Sequence, residues 1–124
     1  SKNAGFSTGQ PWLAVNPNYE MINVQKALAN PDSIFYTYQK LIQIRKENSW
    51  LIRADFKLLD TADKVFAYIR KDGDRRFLVV ANLSNDKQNF SVGGKVRSVL
   101  IENTAAKEVL EKQVLAPWDA FCVE

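Results

Sequence analysis

At 124 residues the chain falls in the usual single-domain range and can bury one modest core. Hydrophobic residues make up 46% of it, with seven Phe, four Tyr and three Trp, which argues against intrinsic disorder. The formal net charge of +3 is weak and acids are interspersed with the bases, so a phosphate-binding face, and with it a nucleic-acid partner, is not expected.

Residues 1–22 show no clean period. Gly5, Gly9, Pro11 and Pro17 punctuate them, and Phe6, Trp12, Val15 and Tyr19 are scattered apolar anchors, so a long ordered loop is expected. Loops of that length are usually functional or belong to a larger body. Asn23 can cap a short helix from Val24 to about Ala29. A stronger helix signal follows: Asn30 suits the N-cap, Pro31 the first helical position, and Asp32 the positive end of the dipole. Ile34, Phe35, Tyr38, Leu41, Ile42 and Arg45 then recur at helical spacing, which predicts an amphipathic helix over 31–48 in need of a partner surface.

After Trp50 the pattern changes to short strands. Candidates are Asp55–Leu59, Val65–Arg70, Arg76–Leu83, Asn89–Val92, Arg97–Ile101, Lys112–Leu115 and Ala120–Val123. Lys71-Asp72-Gly73-Asp74 joins the clearest pair, and its Asp-Gly predicts a hairpin with a type I′ turn. Phe77-Leu78-Val79-Val80-Ala81 is apolar on both faces, as a central strand is. Asn103-Thr104-Ala105-Ala106 and Ala116-Pro117-Trp118 mark further turns. The fold class expected is mainly β: a small antiparallel β-sandwich over 51–124, preceded by a loop-plus-helix segment over 1–50.

Candidate chemistry is sparse. The chain has one cysteine and no histidine, which excludes disulfide scaffolds, Cys/His zinc sites and His-based triads within it. Cys122 sits in the apolar run Ala120-Phe121-Cys122-Val123 and reads as a buried strand residue. Asp72 and Asp74, Asp60 and Asp63, Asp86 and Glu102 all fall at turns or strand ends, with no two aimed across a shared cleft. Gly93-Gly94-Lys95 lacks the strand–loop–helix context and the downstream Ser or Thr of a phosphate loop. No stretch approaches the roughly 20 apolar residues of a membrane span. No signal peptide is visible, and the start at Ser1-Lys2 without Met suggests that the native N-terminus lies upstream.

Specific strings carry more. Ala4-Gly5-Phe6-Ser7-Thr8-Gly9-Gln10-Pro11-Trp12-Leu13, Val15-Asn16-Pro17-Asn18-Tyr19 and Ile22-Asn23-Val24 resemble the stretch after the last barrel strand in α-amylase-family glucosidases. The branch they are most similar to contains oligo-1,6-glucosidase, dextran glucosidase and trehalose-6-phosphate hydrolase. Asp32-Ser33-Ile34-Phe35 with Leu41-Ile42-Gln43-Ile44-Arg45-Lys46 resembles that family's final barrel helix. Phe66-Ala67-Tyr68-Ile69-Arg70, Leu78-Val79-Val80-Ala81-Asn82-Leu83-Ser84 and Leu115-Ala116-Pro117-Trp118-Asp119-Ala120 resemble its C-terminal β domain.

The resemblance implies a retaining glycoside hydrolase that cleaves α-glucosidic bonds, of the α-1,6 type, in α-linked gluco-oligosaccharides at the mouth of a (β/α)8 barrel in the cytoplasm of a bacterium. That chemistry needs a nucleophile and an acid/base carboxyl about 5 Å apart. In the family these residues lie upstream of the position matching Ser1, so the chain is expected to hold no catalytic residue, no metal and no cofactor. Residues 4–19 would form part of the sugar-pocket rim, with Trp12 and Asn16 as substrate-binding candidates. The β domain would brace the barrel through Tyr38 and Trp50, and the bare face of helix 31–48 would favour self-association. A free-standing carbohydrate-binding or interaction β-sandwich is the alternative, with Phe56, Phe90 and Trp118 as its aromatic candidates.

Overall fold

The computed structural model describes residues 1–124, which form two compact units, Ser1–Ile42 and Gln43–Glu124. In the first unit the expected loop contains two 3-10 turns, Lys2–Gly5 and Pro17–Glu20. Helix α1 spans Val24–Ala29, and the Asn23 side chain caps it by accepting the Lys26 N–H at 2.9 Å. Helix α2 spans Ile34–Glu47, so it starts three residues later than Pro31. The cause is local. Asn30 Oδ1 accepts the Asp32 N–H at 3.0 Å and holds 30–33 as a turn. Ser33 Oγ then donates to the Ala27 carbonyl at 2.7 Å, and Tyr36 Oη donates to the Leu28 carbonyl at 2.9 Å, tying α2 to α1. No residue of Ser1–Ile42 is fully buried. Ile34, Phe35, Tyr38, Leu41 and Ile42 stand exposed on α2.

The second unit is an antiparallel sandwich. Strands β1 (Asp55–Leu58), β2 (Val65–Asp72), β3 (Arg75–Asn82), β4 (Gln88–Asn89), β5 (Val99–Glu102), β6 (Val114–Leu115) and β7 (Ala120–Val123) form two sheets. One has five strands in the order β1-β2-β3-β7-β5, and the other pairs β4 with β6. The apolar run 77–81 does lie in the central strand, β3. One face of the large sheet offers Val65, Ala67, Leu78, Val80, Phe121 and Val123 to a core closed by Phe90, Val92, Ala106, Val109 and Leu115. The other face carries Phe77, which packs with Ile44 and Trp50 in a second cluster.

Four expectations are corrected here. First, Asp72 pairs with Arg75, so Gly73 and Asp74 are the central turn residues. Only Gly73 has positive φ, at 57°, the pattern of a type II′ turn rather than type I′.

Second, the turn expected at 103–106 ends in a helix, α3 (Ala106–Lys112). Glu102 accepts the Ala106 N–H at 2.8 Å and satisfies one free donor of its first turn. Ala106 and Val109 are buried while Glu108 and Lys112 pair on the wet side.

Third, the strand expected at 89–92 stops at Asn89. Gln113, itself at φ 55°, takes the Val92 N–H on its Oε1 at 2.9 Å and the Phe90 N–H on its carbonyl at 3.2 Å. These donors are therefore satisfied outside a ladder. Fourth, the strand expected over 112–115 is cut to Val114–Leu115 because α3 occupies Lys112.

Candidate functional site

The loop of residues 1–23 is held by its own polar side chains. Asn3 and Ala4 sit at φ 54° and Gly5 at φ 81°, turning the chain left-handed. Asn3 Nδ2 donates to the Ser7 carbonyl at 3.0 Å and the Gly9 carbonyl at 2.8 Å, closing that turn. Asn16 Oδ1 accepts the Asn18 N–H at 3.3 Å and caps the turn that opens with Pro17. Asn23 Nδ2 donates to the Tyr19 carbonyl at 2.9 Å and links this turn to α1.

Between these turns lies an open cavity of about 950 Å³, lined by Phe6, Trp12, Val15, Asn16 and Tyr19 among others. Trp12 and Asn16, the two residues singled out in sequence, thus line one cavity. Trp12 is 92% exposed, so its ring face is free to stack. Asn16 has a local job as a cap, since its Oδ1 is engaged by backbone. Phe6 and Tyr19, read only as apolar anchors, line the same cavity.

Elsewhere the side chains are structural. Trp50 is buried against the sheet with its Nε1 donating to Asn48 Oδ1 at 3.0 Å, whereas Tyr38 is exposed. Phe90, considered as a sugar-stacking residue, is in the core and has no free face. Trp118 is held by a 2.8 Å hydrogen bond from its Nε1 to Asn85 Oδ1 in the closing turn, where its φ is 62°. Among the carboxylates, Asp86 pairs with Lys64 at 3.1 Å, Glu102 caps α3, and Asp119 Oδ2 accepts the Ala116 N–H at 2.7 Å. Cys122 is unpaired, and burial pushes its thiol up to about 12, which makes it a poor nucleophile. No cluster of three or more Cys, Asp or Glu side chains is placed to hold a metal ion. No helix is long and apolar enough to cross a membrane.

Two family models divide the chain. Residues 1–54 match the α-amylase catalytic domain, and residues 56–121 match the maltogenic amylase C-terminal domain. The chain belongs to the α-amylase family. It is 91% identical over all 124 residues to a glucan 1,6-alpha-glucosidase of Streptococcus pneumoniae, of which it covers 23%. It is 39% identical over 95% of its length to an oligo-1,6-glucosidase of Bacillus cereus, covering 22% of that protein. The trehalulose synthase of Pseudomonas mesoacidophila superposes on 99% of the chain with a TM-score of 0.84 and 32% identity, and 23% of that structure is covered. The chain therefore spans less than a quarter of the length of the relatives it matches. In this α-amylase-family chain, the join between the two models falls beside Trp50, where the packing on the sheet begins.

Proposed function

We propose that this chain is the C-terminal part of a retaining α-glucosidase that hydrolyses α-1,6 bonds of short gluco-oligosaccharides in the bacterial cytoplasm. The observation that carries the reading is the 91% identity, without loss of either end, to the glucan 1,6-alpha-glucosidase of Streptococcus pneumoniae. Residues 1–50 are then the final loop and helix of the (β/α)8 barrel, and 51–124 its C-terminal antiparallel β domain. Trp12 offers an exposed ring to a sugar, and Asn16 shapes the loop beside it. The catalytic carboxylates belong to the upstream barrel.

The test compares two polypeptides. The 124-residue chain alone is expected to release no glucose from isomaltose, and the full-length enzyme to release it steadily. Trp12→Ala in the full-length enzyme is expected to raise KM by roughly 2- to 12-fold, the value of about 0.5–1.5 kcal/mol for one stacked ring. Turnover by the isolated chain, or an unchanged KM in the Trp12 variant, would refute the respective assignment.

The bare face of α2 supports a second element of the proposal. Ile34, Phe35, Tyr38, Leu41 and Ile42 form an exposed apolar stripe, and such stripes tend to associate. Produced without its barrel, the chain is expected to form dimers or larger species in sedimentation velocity, and a sharp monomer at high concentration counts against this.

A further inference from the structure

Gly93-Gly94-Lys95 lacks the sequence context of a phosphate loop, yet it borders an open cavity of about 430 Å³ in the Gln43–Glu124 unit. That size lies within the range of small-molecule sites. Leu78, Val92, Val96, Leu110 and Val123 supply its apolar lining. Arg76, Lys95 and Arg97 bring three cationic side chains to it, against the two acids Asp74 and Glu124. A net charge of +3 over the whole chain conceals this local excess.

The chain does not neutralise these cations itself. Its ion pairs, Lys64 with Asp86 and Lys112 with Glu108, involve none of them. Glu124 instead takes the Ser98 hydroxyl on one carboxylate oxygen at 3.4 Å. The β2–β3 register adds to the charge, because Lys71 stands directly opposite Arg76. Like charges so placed repel, and an anion bound beside them offsets the repulsion. Arg76 is half-buried, and the loop is shaped around it. Its Nη2 donates to the Gly93 carbonyl at 3.3 Å. A Cβ on Gly94 would lie 3.0 Å from that same nitrogen, so a glycine at φ 150° lets the guanidinium rest against the loop. That hydrogen bond uses one N–H of the guanidinium fork and leaves the others free for a ligand.

We propose that this cavity binds a phosphate monoester with a small, mostly apolar body. The phosphoryl group sits among Arg76, Lys95 and Arg97, and the body covers Leu78, Val92 and Leu110. The apolar lining argues against inorganic phosphate alone, which would leave it bare. The unpaired cations argue against a neutral ligand. A guanidinium grips two phosphate oxygens at once where an ammonium offers a point charge, so Arg76 is the residue that selects the anion.

Titration of the 124-residue chain with phenyl phosphate, followed by amide NMR, tests it, with inorganic phosphate and benzyl alcohol as the comparison ligands. Phenyl phosphate is expected to shift the amides of residues 93–97 saturably. Inorganic phosphate is expected to shift the same amides more weakly, and benzyl alcohol to leave them in place. Arg76→Lys keeps the charge but loses the fork, and is expected to weaken phenyl phosphate by about tenfold or more. No saturable shift overturns the proposal, as do shifts spread equally over the amides of Lys2, Lys26 and Lys40. Benzyl alcohol or inorganic phosphate binding as tightly as phenyl phosphate overturns the choice of ligand. Equal affinity in Arg76→Lys overturns the role of the guanidinium. A second readout covers association of the isolated chain: phenyl phosphate is expected to raise the melting temperature of the full-length enzyme less in Arg76→Lys than in the parent. An equal rise in the two also overturns the proposal.

Discussion

The indole of Trp50 meets the ring of Phe77 nearly edge-on, with centroids 4.8 Å apart and planes at 75°. This geometry sets the positive edge of one ring on the negative face of the other. It also joins two stretches of chain that different family models claim. Trp50→Ala is expected to destabilise the Gln43–Glu124 unit by about 3–5 kcal/mol, the range for a large buried aromatic. A double-mutant cycle with Phe77→Leu is expected to give a coupling of about 0.5–1.5 kcal/mol. Urea unfolding followed by circular dichroism measures both, and additive effects would show that the edge-on contact contributes nothing beyond buried area.

Asn82 is 1% exposed, yet each of its polar groups is satisfied. Its Nδ2 donates to the Asp86 carbonyl at 2.7 Å and the Ala116 carbonyl at 2.8 Å. Its Oδ1 accepts from the Ser84 N–H at 3.0 Å and the Ser84 hydroxyl at 2.7 Å. One side chain therefore fixes both the exit of β3 and the turn before β7. Asn82→Ala strands these partners and is expected to cost roughly 1–3 kcal/mol for each one left dry. Asn82→Asp keeps the shape but turns a carboxylate towards two carbonyls. Its stability is expected to rise as the pH falls below neutral and that carboxyl gains a proton. A pH-independent deficit in Asn82→Asp would mean water replaces the lost donors.

Gly73 stands at φ 57° with nothing within 4 Å of where a Cβ would sit. The cost of Gly73→Ala is thus backbone strain alone, roughly 1–2 kcal/mol. Asp74→Ala beside it is expected to stay within about 0.5 kcal/mol of the parent. Thermal melts of the two variants separate the readings: equal shifts would show that the turn does not depend on the positive φ.

Cys122 is uncharged in the folded chain because burial raises its thiol from the ordinary 9.0 to about 12. Burial also raises Tyr68, with proximity to Cys122 adding to the effect and Arg70 opposing it. The sign follows from linkage: a group raised in the folded state contributes stability that is complete below its unfolded value and lost as the pH climbs through the folded one. Stability is therefore expected to fall above pH 9.0 and to keep falling towards pH 12. Cys122→Ala removes part of that slope. Alkylation by iodoacetamide in the native state is expected to be slow at neutral pH and fast after addition of denaturant, so fast native alkylation would contradict the burial.

The elements legible in the sequence were those whose signals are local. Asn23 before Val24 marked α1, and Phe77–Ala81 marked the central strand, because caps and apolar runs act over a few residues. What escaped depends on partners far along the chain. The helix at Ala106–Lys112 is capped by Glu102 and ended by Gln113, whose side chain also decides that Val92 leaves the sheet. No window of sequence shows Gln113 and Val92 side by side. For the candidate site, Trp12 and Asn16 were legible from the resemblance of the surrounding string. Phe6 and Tyr19 were not separable from ordinary apolar anchors until the loop brought them to one cavity.

The absence of any fully buried residue in Ser1–Ile42 has a kinetic meaning. Amides there have little besides short helices to slow their exchange with solvent, whereas those paired between β2 and β3 are expected to open only with the whole sandwich. A protease given the isolated chain would then act as a ruler, trimming from the N-terminal side and stalling near Gln43. Its stopping point would report how much of the ordering of α2 is inherited from neighbours rather than encoded in the helix itself.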